Sequence, residues 1–145
     1  RYLGMQDSAP AFALAHLEED LLGQYDSEAD TVTLSYRYVV DSNASGYSVV
    51  QVLCHELYHR YQHYQVKLLQ AIRSSDATAK YAGLLMLDAA GIYEDELRSY
   101  ISPDDGSVLS YSMYRAQRLE RDAEKYGNAS VADYFEQIRS YLKAN

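Results

Sequence analysis

The sequence predicts an α+β domain that is mostly helical and carries a small sheet. Three observations predict it. Most of the chain places apolar residues at helical spacing, whereas Thr31–Val40 alternates as a strand does. At 145 residues, 48% hydrophobic and 23% charged, the chain has the length and composition of one globular core. No repeat, low-complexity tract or linker interrupts it, so residues 1–145 read as a single domain. It opens at Arg1 and not Met, as a fragment or a processed form would.

The elements follow in order. Ser8–Leu22 reads as a helix, with Ala11, Leu14, Ala15, Leu17, Leu21 and Leu22 at helical spacing and Gly23 as its stop. Asp26–Asp30 is a polar turn. In the strand Thr31–Val40, Val32, Leu34, Tyr36 and Tyr38 share one face, and Asp41–Gly46 is the next turn. A long helix is predicted over Tyr47–Arg73 and a second over Ala77–Tyr100. Pro103–Gly106 breaks the chain. A third helix covers Leu109–Tyr126 and stops at Gly127-Asn128. Ser130 then caps a last helix to Leu142, with Asp133 three residues on.

Charge and cysteine usage narrow the function. Thirteen Lys and Arg against 21 Asp and Glu leave a net charge of −8, which argues against a phosphate-binding surface and against a nucleic-acid partner. No run reaches the roughly 20 apolar residues of a membrane span. The single cysteine, Cys54, excludes an internal disulfide framework and leans toward a reducing compartment such as the cytoplasm. Aromatic usage is skewed to 16 Tyr, with 2 Phe and no Trp.

The chemistry sits in His55-Glu56-Leu57-Tyr58-His59, an H-E-x-x-H pattern on the first long helix. Residues four apart lie on one helix face, so both imidazoles can bind one metal ion. Glu56 lies about 100° round, positioned to touch a water at the metal rather than to ligate it. Val50, Leu53, Leu57, Tyr61, Tyr64 and Leu68 fall on the opposite side and are expected to anchor the helix, with His55, His59, Gln62 and His63 facing a cleft. Tyr61, Tyr64, Tyr36 and Tyr38 accordingly read as core rings.

A catalytic zinc takes three protein ligands. His63 is rejected as the third, because it lies about 12 Å along the helix from His55 with no glycine to turn the chain. The better candidate is Glu120, which falls among Met113, Ala116, Leu119 and Ala123 on the apolar side of its helix. A carboxylate there is costly unless something pairs with it. The plainer reading pairs Glu120 and Glu124 with Arg or Lys along the same helix. Glu124 is otherwise placed to accept a hydrogen bond from a ligand imidazole's second nitrogen. Asp88, amid apolar residues, either orients a histidine or is a buried structural Asp. Glu94 and Glu96 are fallback ligands.

His55-Glu56-x-x-His59 followed by Glu120-x-x-Ala123-Glu124-x-Tyr126 resembles the gluzincin arrangement of zinc metallopeptidases. The resemblance runs from Asp30 to Gly127. It implies a zincin-like domain, a small twisted sheet packed on helices with the active-site helix beneath its edge strand. It also implies Zn2+ held by His55, His59 and Glu120, and hydrolysis of a peptide or protein substrate with Glu56 moving the water's proton. An oxyanion partner is needed as well; Tyr111, Tyr114 and His63 are the candidates. The strand Thr31–Val40 is a candidate edge for an extended substrate. Two other classes stay open: a non-catalytic metal- or partner-binding module with a vestigial site, and a purely helical interaction domain.

Overall fold

In the computed structural model, which describes residues 9–74, 85–103 and 106–144, strand β3 (Thr31–Ser35) is the middle of a three-stranded sheet of order β1-β3-β2. β1 (Ala11–Ala15) pairs with it in parallel, Ala11 opposite Thr31 through Ala15 opposite Ser35. β2 (Gly23–Asp26) pairs antiparallel, Gly23 opposite Leu34 through Asp26 opposite Thr31. Val32 is fully buried and Ser35 nearly so. The helices are α1 (Tyr36–Val40), α2 (Gly46–Arg73), α3 (Leu85–Arg98), α4 (Val108–Ala116) and α5 (Arg118–Ala144). The protein is thus α+β and mostly helical. Among the described residues no helix is long and apolar enough to cross a membrane.

The chain divides into two compact units. The first is Arg1–Arg60 with Ala123–Asn145 and the second is Tyr61–Asp122. Helices α2 and α5 each contribute to both.

In the first unit, the predicted helix Ser8–Leu22 is replaced by β1 and a loop; Ser8 itself lies outside the described residues. Ala and Leu are among the best helix formers, but propensity is a weak prior and ladder pairing with β3 overrides it here. β1 remains largely exposed, with Phe12 and Leu14 more than half open. The predicted strand Thr31–Val40 ends at Ser35. Ser35, opposite Ala15 of β1, and Leu34, opposite Gly23 of β2, are the last residues of β3 with ladder partners, so the backbone beyond closes on itself as the short helix α1. Because β3 is central, it is not an edge for a substrate strand. The β2–β3 turn is held by the Asp26 carboxylate, which accepts from the Glu28 and Ala29 amides at 2.8 and 3.0 Å and is thereby held below its usual pKa. Asp30 ends that turn in a left-handed conformation, φ +46°.

Ser45 caps α2, its hydroxyl accepting from the Ser48 amide at 3.0 Å. Two glycines set helix approach in this unit. A Cβ on Gly23 would sit 2.7 Å from Val52 Cγ1 and 3.0 Å from Glu56 Cγ. A Cβ on Gly127 would sit 3.1 Å from the His55 nitrogen. Gly127 is therefore not a helix stop; it lets α5 lie against α2. Nearby, the Tyr58 and Tyr126 rings stack at 4.9 Å and the Gln51 amide donates to Asn128. Ser130 is mid-helix and caps nothing.

In the second unit, the helix break predicted at Gly127-Asn128 falls instead at Gln117. Gln117 is extended, and its side chain accepts from the Ile101 amide and donates to the Ile101 carbonyl, at 2.9 and 2.8 Å. The Glu96 carboxylate accepts from the Arg118 and Leu119 amides at 2.8 Å each, capping α5 from α3. Ser107 caps α4. Val66, Tyr93 and Leu119 form the core, with Ala89 and Leu97 against it. The predicted start of the second long helix at Ala77 lies outside the described residues.

The anchoring stripe also differs from expectation. Tyr64 is 47% exposed and Tyr36 46%, while Tyr61 and Tyr38 are half-buried. In the second unit α2 buries Gln62, Gln65, Val66, Leu69 and Ile72. Gln62 is inaccessible because its amide donates to the Leu119 carbonyl at 2.8 Å. A satisfied polar side chain is at home in a core, which apolar spacing alone does not signal. Met113 and Ala116, predicted beside Glu120, lie exposed on α4.

Two stability predictions follow from these contacts. Gly127→Ala gains helix propensity of about 1 kcal/mol, yet it is expected to lower the melting temperature because the backbone at His55 has little room to yield. A raised melting temperature would show that it yields. Buried Glu94 accepts from Gln70 at 2.9 Å and pairs with Arg73 and Arg98, and these donors hold its carboxyl below the usual range. A depressed folded pKa contributes stability above the unfolded value of about 4.3 and loses it as pH falls through the folded one. The stability gap between wild type and Glu94→Gln, measured by denaturant unfolding, should be open at pH 7 and close in acid.

Candidate functional site

The first unit carries the H-E-x-x-H residues on α2. His55 and His59 are half-buried and one turn apart, and their Nε2 atoms lie 3.0 Å from each other. The rings meet edge to face, with centroids 4.6 Å apart. At that distance the two nitrogens share a proton or a cation, since two lone pairs facing each other repel. Two nitrogens bound tetrahedrally to zinc at about 2.0–2.1 Å stand about 3.3 Å apart, so the pair is close to the spacing a zinc ion requires. Glu56 is 7% exposed. It lies against Gly23 at the start of β2, where a Cβ would come within 3.2 Å of its Oε1. The absence of a side chain at Gly23 is what leaves room for that carboxylate.

The segment is fixed by its neighbour Arg60. The guanidinium makes a forked pair with Asp30, Nε to Oδ1 at 2.6 Å and Nη2 to Oδ2 at 2.7 Å. The Tyr25 hydroxyl donates to the same Asp30 oxygen at 3.0 Å, and burial together with that carboxylate pushes the Tyr25 phenol up to about 12. The β2–β3 turn is thereby tied to α2 one residue past His59. Cys54 is half-buried, and burial raises its thiol pKa. Glu124 is exposed on α5.

The second unit carries Glu120, in the first turn of α5 and 3% exposed. As expected from sequence, Leu119 is buried beside it. Its Oε1 accepts from the Tyr100 hydroxyl at 2.7 Å and its Oε2 from the Tyr114 hydroxyl at 2.6 Å. Burial and then the Glu120 charge raise the Tyr114 phenol far above its ordinary pKa, keeping it a donor. Tyr111 is about half exposed, its ring 6.1 Å from Tyr114. His63 is half-buried. Asp88 is exposed in the first turn of α3, so it is not the buried aspartate its apolar neighbours suggested. The fallback ligands have other work here: Glu94 joins Arg73 and Arg98, and Glu96 caps α5.

Sequence reasoning missed Tyr100, Gln117, and the Asp30–Arg60 pair. Tyr100 follows α3 and reaches Glu120 through tertiary structure alone, so no spacing marks it. The Asp30 turn had a signal, an aspartate ending a polar loop, but nothing pointed from it to Arg60.

No family model matches this chain, and neither a curated protein nor a solved structure does.

Asp30→Asn retains a residue tolerant of the left-handed conformation while removing the charge. It should destabilise the protein by about 1–2 kcal/mol in denaturant unfolding, since a guanidinium only 10% exposed loses its charged partner. An unchanged midpoint would mean solvent screens the pair fully.

Proposed function

We propose that this chain is a zinc-dependent metallopeptidase with a gluzincin-type site, His55, His59 and Glu120 holding the ion. The observation that carries the reading is the approach of His55 Nε2 to His59 Nε2 at 3.0 Å, beside a glutamate that is itself out of water. A pair of imidazoles set that close, next to a carboxylate able to accept a proton, is the donor set of metal-assisted hydrolysis.

Support for Glu120 comes from its place on α5. It follows Leu119, whose carbonyl takes the Gln62 amide, and precedes Gly127, which lies against His55. His59 falls between His55 and Gln62 on α2. Ala123, fully buried one turn past Glu120, keeps the side chains there small. The zincin-like fold belongs to the same proposal, resting on a small sheet with β2 starting against the motif helix.

Zinc in such a site supplies Lewis acidity, acidifying water and polarising a peptide carbonyl. The residues supply the rest. The Glu56 carboxylate accepts the proton of the attacking water and delivers it to the departing amine nitrogen. His55 and His59 would hold the ion through their facing Nε2 atoms. The Tyr114 hydroxyl donates to Glu120, so of the two tyrosines the oxyanion role falls to Tyr111. A peptide or protein is the substrate class.

Glu56→Gln should retain stoichiometric zinc and lower the cleavage of an unstructured protein substrate at least about 10²-fold. Cleavage at the wild-type rate would remove Glu56 from the mechanism. Zinc bound by a wild type that cleaves no member of a broad peptide library would favour the non-catalytic binding module. Zinc content after dialysis should fall in Glu120→Ala, and stoichiometric zinc surviving that substitution would remove the third ligand.

A further inference from the structure

We propose that Tyr100 and Tyr114 are positioning residues for the third ligand, holding the Glu120 carboxylate by one phenol on each oxygen in the orientation that a metal ion needs. This rests on the assignment of Glu120 above. It adds two residues, one of which carries no signal in the sequence and the other of which stood as an oxyanion candidate.

The terminal torsion of a glutamate is broad and roughly two-fold, so a single hydrogen bond leaves the carboxylate plane free to swing. Here both oxygens are held, Oε1 by Tyr100 at 2.7 Å and Oε2 by Tyr114 at 2.6 Å. Those are distances of charge-assisted O–H···O⁻ bonds. Two donors on two atoms fix the plane. Each ionised oxygen offers about two acceptor sites, and a phenol takes one of them.

The donors are themselves braced. Tyr114 belongs to α4 and Tyr100 to the segment after α3, and their rings meet edge to face at 6.2 Å. Ile101, next to Tyr100, is bound through both backbone groups by Gln117, three residues before Glu120. Glu96 of α3 holds the amides of Arg118 and Leu119, the two residues immediately before Glu120. Backbone, carboxylate and both donors are thus held relative to one another by three elements of the second unit. Burial alone asks only for hydrogen bonds; a fixed plane on a nearly inaccessible carboxylate is what a ligand requires.

The test uses the full chain with Tyr100→Phe, Tyr114→Phe and the double variant, which retain the rings and remove only the hydroxyls. Zinc affinity is read by competition with a chelating indicator, and the geometry by the visible spectrum of the Co2+-loaded protein. Melting of the metal-free protein is followed in parallel. Each single variant should bind zinc about 10-fold or more weakly and shift or broaden the cobalt bands, beyond any change in metal-free melting. If the double variant fails to fold, the two single variants decide. Zinc affinity within two-fold of wild type and an unchanged cobalt spectrum would overturn the proposal, whatever the melting temperature does. Glu120→Gln separates the two readings. If it loses zinc while the phenylalanine variants do not, only the positioning role falls; if it also binds as wild type does, the ligand assignment falls first.

Discussion

A carboxylate taken out of water must be met by donors, and much of this protein is built around that requirement. Glu94, Glu120 and Glu56 are each less than a tenth exposed. Glu94 is met by two arginines and a glutamine, which cancel charge and tie α2 to α3 within the second unit. Glu96, half-buried, is met by two backbone amides at a helix start, where the local dipole favours an anion. Tyr100 and Tyr114 meet Glu120 as neutral phenols, supplying hydrogen bonds without a compensating charge. The same residue type therefore serves as an ion-pair hub, a helix cap and a candidate ligand, according to what faces it.

A second constraint is distance. In the first unit Gly127 brings α5 onto the His55 backbone, and Gly23 brings β2 onto Glu56. Neither glycine is there for conformational freedom, since both sit where an added methyl group would meet protein. The motif helix is approached closely from two sides, at two of the three residues that its proposed chemistry would use. Arg60, forked onto Asp30, adds a third restraint one residue past His59.

The H-E-x-x-H motif and its helix were legible because their information is local. The four-residue spacing sets the face, and α2 begins and ends within a residue of the expected bounds. The burial of Glu120 was legible through its apolar neighbours Leu119 and Ala123, both inaccessible. What was misread depends on contacts made far along the chain. Ala11–Ala15 has helical composition but pairs as a strand once β3 is beside it. Gly127-Asn128 looks like a stop and is a packing contact, while the real break at Gln117 relies on Ile101. Gln62 gives no hint of burial until the Leu119 carbonyl reaches it. The charge balance and cysteine count name no partner.

The division of the chain has a consequence for the order in which the protein is made. The second unit is one continuous stretch, Tyr61–Asp122, whereas the first is assembled from Arg1–Arg60 and Ala123–Asn145. During synthesis the second unit has all its residues before the first does. The H-E-x-x-H turn of α2 must wait for Tyr126 and Gly127 to be translated. Closing a loop that long is slow relative to local helix formation. Until then His55 lacks the helix that packs against its backbone, so the growing chain holds a complete Glu120 anchor before it holds a complete motif helix environment.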